Sequence, residues 1–231
     1  MRKIVSGILC GTLIALPAFA KDPALDSFYV SGGGGVAWTS TDDWSRHPFV
    51  PGGTFPINQP SSAHETVGMF GVALGYAFSF PVRIEANYKW YSETKYVWNQ
   101  VFATSIDDQF DAEAKLQPQV ILANVYYDFH NRTRLVPFVG GGIGYQRTKV
   151  DLTISHPGGT DPVSSRTEDG FAWTVIAGVK YRITPKLSAD IRADYTDFGS
   201  MVACESNCNY DFAKTDSFSA TTASANLTYS F

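Results

Sequence analysis

Long apolar runs are missing from this 231-residue chain after its first 20 residues. No later segment approaches the roughly 20 consecutive apolar residues that a transmembrane helix needs, and no helical periodicity separates the strand-like segments. The chain has only three cysteines and three methionines. Its glycine run, Gly32 to Gly35, lacks the Lys-Ser/Thr pair and the helix that follow a phosphate-binding loop. These absences leave a secreted soluble protein or a membrane protein that crosses the bilayer with strands.

The beginning of the chain has the three parts of a secretory signal. Arg2 and Lys3 are basic, Ile4 to Leu16 is apolar, and Ala18-Phe19-Ala20 is a small-x-small cleavage site. The apolar run is too short to span a bilayer of roughly 30 Å. We expect residues 1–20 to be a signal peptide and residues 21–231 to be one domain. Without the signal, 16 basic and 22 acidic side chains give a net charge of −6, which argues against nucleic acid as a partner.

A period-two alternation of side chains dominates the rest of the chain. From Phe171 to Phe198, every second residue is apolar or aromatic, and the residues between them are small, polar or charged. Because successive side chains leave a strand on opposite faces, this pattern predicts two strands joined by the turn Thr184-Pro185-Lys186. The apolar face ends in aromatic residues, and the other face carries charges in mid-strand. This combination is typical of a small barrel with lipid outside and a narrow polar interior.

Eight such segments can be counted, and their connections alternate between long and short. The sequence therefore predicts an all-β fold, an eight-stranded antiparallel up-and-down transmembrane β-barrel with four longer extracellular loops and short periplasmic turns. A soluble eight-stranded barrel is the alternative, but it would expose the aromatic faces to water. The glycines of the fifth strand leave its facing unassigned. The predicted strands are Ser27–Thr39, Thr66–Phe78, Val82–Trp98, Glu113–Phe129, Arg134–Leu152, Phe171–Ile183, Leu187–Phe198 and Asp216–Phe231.

Eight charged residues fall on the faces that are predicted to line the barrel interior. Eight strands enclose a space that side chains can fill, and a buried charge without a partner is costly. We therefore expect five basic and three acidic side chains to form an ionic network that closes the lumen. A narrow porin-like ion channel is the alternative. The predicted network comprises Arg83, Glu85, Lys89, Lys180, Arg182, Asp190, Arg192 and Asp194.

Two cysteines follow the signal, Cys204 and Cys208, and they lie close together in a polar stretch. In an oxidising compartment we expect a local disulfide, which stiffens a loop rather than holding the fold because the closed loop is small. A metal pair is the alternative, but only Glu205 and Asp211 lie nearby as further ligands. We predict neither a metal nor a cofactor.

Several strand motifs resemble those of the small bacterial outer-membrane β-barrels, of the opacity/OmpA-like and alphaproteobacterial surface-antigen porin type. The resemblance covers the residues after the signal and is concentrated in the strands. It implies location in the outer membrane, contact with its lipid and lipopolysaccharide, and insertion by the outer-membrane assembly machinery, whose recognition signal the terminal Phe231 resembles. The matching motifs are Phe28-Tyr29-Val30, Val136 to Gly142, Gly178 to Tyr181, Asp190 to Gly199 and Tyr229 to Phe231.

Barrels of this kind serve as surface antigens, adhesins or weak pores, so the resemblance indicates location more than activity. We expect a structural surface protein and antigen with a side-chain-filled lumen. The alternative is an adhesin that binds a host or matrix partner through its loops. An enzyme is not expected, because His64 and Glu65 near Ser61 form no oriented triad in a loop. The loop aromatics that favour an adhesin are Trp44, Phe49, Phe55 and Phe102.

Overall fold

The computed structural model describes residues 26–41, 44–45, 64–101, 109–131, 133–156, 159–204 and 211–231. Within these ranges all the regular secondary structure is β-strand, and none of the described residues forms a helix able to cross a membrane. The strands are β1 (Ser27–Thr41), β2 (Trp44–Ser45), β3 (His64–Ala77), β4 (Val82–Tyr91), β5 (Thr94–Val101), β6 (Gln109–Asp128), β7 (Leu135–His156), β8 (Gly159–Arg182), β9 (Leu187–Cys204) and β10 (Asp211–Ser230).

Eight of these strands form a closed antiparallel barrel. They pair in the order β1-β3-β4-β6-β7-β8-β9-β10, and β10 returns to β1 through a register that runs from Tyr29↔Ser230 to Thr41↔Phe218. Strand β5 continues the path of β4 and pairs with β6, while β2 pairs with β10. The predicted eight-stranded up-and-down barrel is confirmed, and its closure leaves no unpaired edge among the eight strands.

Side chains alternate between the barrel interior and its outer surface, as the period-two pattern predicted. On β4, for example, Arg83, Glu85 and Lys89 are buried, whereas Ile84 between them is 45% exposed. The same alternation on β8 exposes Phe171 at 62%. An apolar band of this size around the whole molecule is stable only against hydrocarbon, which fits a barrel that spans a lipid bilayer.

Aromatic side chains bound the apolar band at both ends. Near the short turns, the rings of Phe28 and Tyr76 lie 5.0 Å apart, and at the other end those of Trp173 and Tyr195 lie 5.6 Å apart. From Trp173 to Ile183 the chain advances ten residues, about 33 Å, which at a strand tilt of about 40° is about 25 Å along the barrel axis. That height matches the lipid-facing band of membrane-spanning barrels.

The strands continue beyond the apolar band on the side away from the short turns, where the sequence predicted loops. Strands β7 and β8 pair as far as His156↔Gly159, within the segment Thr153 to Glu168 that was assigned to a loop. That part of the prediction is wrong. The backbone pairing continues through residues 159–168, but these residues show no apolar alternation. A hairpin above the membrane has no lipid-facing side, so it does not require an apolar residue at every second position.

The facing of β7 is decided by two large aromatic side chains in the lumen. Tyr126 and Phe138 are both buried and contact each other at 5.8 Å between ring centroids. A Cβ atom at Gly140 would lie 2.4 Å from Cδ1 of Tyr126, and one at Gly178 would lie 2.5 Å from Cζ of Phe138. These two glycines therefore face the interior and leave the space that the aromatic rings fill.

Candidate functional site in the barrel lumen

Four acidic and four basic side chains meet in the half of the lumen nearer the short turns. They project inward from β4, β6, β8 and β9, and their charges cancel. Equal numbers of both signs satisfy the condition for burying charges in a narrow interior. The acidic members are Glu85, Asp128, Asp190 and Asp194, and the basic members are Arg83, Lys89, Lys180 and Arg192.

Asp128 bridges two basic side chains at the side of the cluster nearer the turns. Arg83 Nε donates to its Oδ1 at 3.1 Å, and Lys180 Nζ donates to its Oδ2 at 2.8 Å. The Arg83 guanidinium also lies 4.0 Å from the centroid of the Tyr126 ring and 4.7 Å from that of Phe138. Cation–π contact therefore adds to the ion pair, so this arginine is held on both sides.

Glu85 and Asp190 share the second arginine. Arg192 donates to both carboxylate oxygens of Asp190, from Nε at 2.8 Å and from Nη2 at 3.1 Å, and its Nη1 lies 3.6 Å from Glu85 Oε1. Glu85 accepts three further hydrogen bonds, from the hydroxyls of Tyr29 at 3.1 Å and Tyr126 at 2.9 Å and from Asn87 Nδ2 at 3.5 Å. Charge-assisted hydrogen bonds of this kind offset part of the cost of desolvating the carboxylates.

Lys89 and Asp194 form an ion pair across the full width of the lumen. Lys89 Nζ donates to Asp194 Oδ2 at 2.6 Å, and both side chains are almost completely buried. Lys89 belongs to β4 and Asp194 to β9, which stand four positions apart in a ring of eight strands. The pair therefore joins opposite walls of the barrel.

Beyond the ionic cluster, toward the long hairpins, large apolar side chains fill the lumen. The rings of Tyr91 and Phe198 meet edge to face at 5.5 Å, and Phe198 stacks on Phe218 at 5.1 Å. Burial raises the pKa of the Tyr96 hydroxyl on β5 to about 12. We call this group the apolar plug; its members are Tyr91, Tyr96, Leu116, Leu122, Phe198, Met201 and Phe218, none more than 1% exposed.

The structure brings seven of the eight charged residues named in the sequence analysis into the cluster. The eighth, Arg182, lies at the barrel mouth near the turns, where its Nη2 donates to the Thr133 carbonyl at 2.7 Å. Sequence reasoning missed Asp128 as a member. Its signal was available, because Asp128 falls between Tyr127 and Phe129 on the inward face of a strand whose outward face was identified. The apolar plug was also missed.

The remaining predicted sites lie partly outside the described residues. Cys204 ends β9, but Cys208 is outside, as is the signal segment 1–20, so both of those expectations stay predictions. Phe231 is 67% exposed, and its ring contacts Tyr229 at 5.5 Å. In the described ranges, no group of three or more His, Cys, Asp or Glu could hold a metal.

Among the loop aromatics named above, only Trp44 is described, as part of the backbone of β2. The other three, Phe49, Phe55 and Phe102, lie outside the described residues.

Known proteins resemble this chain in both sequence and fold. The family model "Outer membrane protein beta-barrel domain" matches residues 6–231. Outer membrane protein PagN of Salmonella typhimurium is 27% identical over 192 residues, which cover 72% of this chain and 80% of PagN. Neisserial surface protein A (NspA) superposes with a TM-score of 0.54 at 20% identity, over 88% of this chain and 97% of NspA. The similarity to NspA concerns the fold, and the match to the family model concerns the whole barrel.

Proposed function

The chain belongs to the outer-membrane protein β-barrel family and is a protein of the bacterial outer membrane; we propose that it serves there as a structural surface barrel and antigen that does not conduct ions. The observation that carries the proposal is the double filling of the lumen, by the balanced ionic cluster and by the apolar plug. A hydrated ion would have to separate Lys89 from Asp194 and then displace Tyr91 and Phe198.

The energetic barrier to such passage is large compared with thermal energy. Separating a buried ion pair costs about 3–5 kcal/mol when one partner is left without a counter-charge. The packed aromatic side chains of the plug leave no room for a hydrated ion, and an ion that loses its water shell in a buried region is costly. Closure of the lumen is therefore the default state of this barrel.

Planar-bilayer recording of the refolded protein tests this proposal. We expect no large, stable conductance steps from the unmodified chain. The positive control is a variant with smaller side chains in both the ionic cluster and the apolar plug, the trimmed variant Lys89→Ala/Tyr91→Ala/Phe198→Ala. This variant is expected to produce conductance steps. Stable conductance of the unmodified chain, equal to that of the trimmed variant, would overturn the closed-lumen function.

We also propose that lipopolysaccharide contacts the barrel just beyond the apolar band. Arg147 and Lys149 point outward on β7, directly beyond the exposed ring of Tyr145. Their ion pairs with Asp169 and Asp151, at 3.4 and 2.9 Å, are exposed to solvent and therefore weak, so phosphate groups can compete for the bases. Lower binding of fluorescent lipopolysaccharide by Arg147→Gln/Lys149→Gln is expected.

Ligand binding by the hairpins, as in an adhesin, is the second candidate function, and the extension of β7 and β8 favours it. Beyond Tyr145, β7 runs eleven more residues to His156, a path of about 36 Å at the rise of a β-strand. This hairpin therefore carries protein surface well away from the lipid, where another cell or the matrix can reach it. The observation that supports this proposal is the length of the hairpin beyond the membrane, and not an identified binding pocket.

A graded shortening of the hairpin tests the adhesin proposal. Replacing residues 150–166 by Asn-Gly joins Lys149 to Thr167, which already pair, and a two-residue Asn-Gly loop suits a hairpin. Binding to host cells or matrix is expected to fall in this variant. A milder control joins Ile154 to Asp161, another existing pair, and keeps most of the hairpin. Unchanged binding after the longer deletion would argue against a role for this hairpin.

We further propose that the chain has no catalytic activity. In the described residues the histidines are separated: His64 begins β3, His156 ends β7, and His130 lies at the opposite end of the barrel. A hydrolytic triad needs a histidine within hydrogen-bond reach of a nucleophile and an orienting acid. Lipid A deacylation by the purified protein, reproducibly above a heat-denatured control, would refute this proposal.

A further inference from the structure

The closure of the barrel removes strand edges only along the length over which all eight strands pair. Strands β8 and β9 pair from Arg182↔Ser188 to Trp173↔Asp197, but β8 continues to Gly159. Along this continuation β8 pairs with β7 on one side, and no strand in the described part of the chain pairs with it on the other. We propose that this side of β8 binds an extended segment of another protein, which adds to the β7–β8 hairpin as a further strand. The inference rests on the adhesin function of the hairpin and names its kind of partner.

Gly199 is the position at which β9 turns away from β8. Its φ is +78°, a left-handed conformation that glycine adopts without strain. Its backbone nitrogen donates to Oδ1 of Asp197 at 2.7 Å. The register between β9 and β10 shifts at the same place, where Gly199 pairs with Phe218. Because a bulge of this kind bends the strand that contains it, β9 follows β10 from here and no longer accompanies β8.

Backbone groups along a strand point alternately to its two sides, which for β8 are the sides of β7 and β9. At the end of β8 near the short turn, Arg182 N donates to the Arg134 carbonyl on the β7 side. The next residue, Ile183, donates to the Leu187 carbonyl on the β9 side. Even-numbered residues therefore face β7 and odd-numbered residues face away from it. The register with β7 is constant from here to Ser164, so the alternation holds over that length.

Three residues of the continuation present their backbone N–H and C=O groups on the side away from β7: Ser165, Thr167 and Asp169. We call these six groups the β8 edge. All three residues are exposed, and no backbone partner for the six groups lies in the described part of the chain. Beyond them the edge becomes irregular, because Val163 has no partner on β7 and Pro162 has no N–H to donate. The β8 edge is thus about 13 Å long.

The β8 edge lies outside the lipid-facing band. Its three residues put their side chains on the same outer face as Phe171, whose exposed ring belongs to the band. Thr167 is four residues farther along the strand, about 13 Å from Phe171 at the rise of a β-strand. A segment that pairs here therefore comes from the medium around the barrel and does not have to enter the hydrocarbon.

A row of donors and acceptors at strand spacing is complementary to another extended backbone. Main-chain hydrogen bonds supply the affinity in such strand addition, and the side chains beside the edge decide which segments fit. Here these side chains are the hydroxyls of Ser165 and Thr167 and the carboxylate of Asp169, whose ion pair with Arg147 at 3.4 Å is exposed. The fitting partner has hydroxyl-bearing or β-branched residues opposite Thr167 and a basic residue opposite Asp169.

A second copy of this chain fits the β8 edge less well than a different protein does. Two barrels in one membrane are related by an axis along the membrane normal, and their strands tilt by about 40° from it. Two copies of β8 would therefore cross at about 80° where they meet, instead of lying side by side as a sheet requires. The partner that the geometry favours is an extended segment of a different protein.

A proline substitution at the β8 edge tests the proposal. Thr167→Pro removes a donor that faces the partner and leaves the pairing with β7 in place, because proline is tolerated on an edge strand where its nitrogen faces solvent. The matched control, Thr167→Val, keeps the backbone donor and the branched shape. Each chain is refolded into lipid nanodiscs, labelled with a fluorophore and titrated onto cultured epithelial cells. Heat-modifiable migration on a gel verifies folding, and Ser165→Pro replaces Thr167→Pro if the latter does not fold.

We expect Thr167→Pro to raise the apparent Kd about fivefold or more, because main-chain hydrogen bonds are lost. Thr167→Val is expected to change it less than about twofold. An unchanged Kd for Thr167→Pro overturns the proposal, as does an equal loss in Thr167→Val, which would assign the binding to the side chain. Protease treatment of the cells is expected to abolish binding that glycosidases leave intact, and the opposite result would identify a carbohydrate partner and overturn the proposal.

Two further outcomes separate this inference from the adhesin function on which it rests. Binding that is lost on replacement of residues 150–166 by Asn-Gly but kept in Thr167→Pro leaves the hairpin as an adhesin and overturns only the β8 edge. Absence of binding by the unmodified chain overturns both. Sedimentation of the nanodisc-free protein in detergent adds a check on the partner, since a dimer that Thr167→Pro dissociates would assign the edge to a second copy and overturn the choice of a different protein.

Discussion

A single ion pair, Lys89 with Asp194, connects opposite walls of the barrel and shows how strongly one residue can act here. Both side chains are buried, and the Thr196 hydroxyl donates to the same Asp194 oxygen at 3.2 Å. Charge pairs of this kind are stabilising only while both partners are present. At the residue scale, therefore, the lumen is sensitive to the removal of one charge and tolerant of the removal of two.

A double-variant cycle on this pair is the first prediction. We expect Lys89→Met to lower the free energy of unfolding by about 3–5 kcal/mol, because Asp194 is left buried without a counter-charge. The double variant Lys89→Met/Asp194→Asn is expected to recover most of that loss. Urea titration of the protein folded into lipid vesicles, followed by tryptophan fluorescence, measures both values.

The control for the cycle is Lys149→Met, whose pair with Asp151 lies on the exposed hairpin. Its expected effect is less than about 1 kcal/mol. A double variant that is no more stable than Lys89→Met would contradict the view that charge balance, rather than the particular pair, holds this part of the lumen.

Gly75 provides the second prediction, because it leaves room for Tyr29. A Cβ atom at Gly75 would lie 2.2 Å from Cζ of the Tyr29 ring, whose hydroxyl donates to Glu85. We expect Gly75→Ala to cost about 1–3 kcal/mol, as is typical of overpacking. Gly32→Ala is the matched control, since its Cβ would have the Gly71 carbonyl at 3.9 Å as its nearest neighbour. Equal destabilisation by both changes would show that loss of glycine alone is responsible.

At the scale of the strand, β10 closes the barrel and carries the terminal aromatic residue. It pairs with β9 on one side and β1 on the other. Phe231 follows it, and its backbone nitrogen donates to the Phe28 carbonyl at 3.0 Å. Because the Phe231 side chain faces the lipid, it contributes little to the lumen, and we propose that its role lies in recognition during assembly.

Replacement of Phe231 is the third prediction. We expect Phe231→Ser to reduce the amount of folded protein in the outer membrane of cells several-fold, while the purified variant refolds into vesicles nearly as well as the unmodified chain. Phe28→Ser is the matched control, since Phe28 is 60% exposed at the same height on the neighbouring strand. Similar losses in cells for both variants would indicate a general effect of lipid-facing aromatics instead.

The whole molecule has two different ends. Short turns surround one end, and strands that extend beyond the apolar band form the other end. In barrels of this class, short turns face the periplasm and long connections face the outside. This polarity determines which part of the molecule another cell could reach, and which part meets the periplasm.

Epitope tags test this orientation and give the fourth prediction. A tag inserted between His156 and Gly159 is expected to bind antibody on intact cells, because these two residues form the last pair of the long β7–β8 hairpin. A tag inserted between Thr184 and Pro185, in a short turn, is expected to bind only after the outer membrane is permeabilised. Surface detection of the second tag on intact cells would reverse the proposed orientation.

Each level of structure could be predicted to a different extent. The outward faces of β3, β4, β8 and β9 followed from alternation, because lipid on one side demands apolar residues at every second position. The extension of the hairpin beyond the membrane did not, because residues 159–168 have no lipid-facing side and therefore no such demand. The inward facing of Asp128 could be predicted from its strand, but its partners, Arg83 and Lys180, could be identified only from the order of the strands in the barrel.

The sequence by itself determined the class of the fold, the number of barrel strands and the side of each identified strand that faces lipid, since all three depend on local alternation and on the lengths of connections. Only the tertiary structure decided which charges pair, because partners such as Lys89 and Asp194 are 105 residues apart in the chain and meet through the stagger of the closed barrel. The apolar plug has the same origin, because its side chains are distant from one another in sequence and come together only at a similar height along the barrel axis.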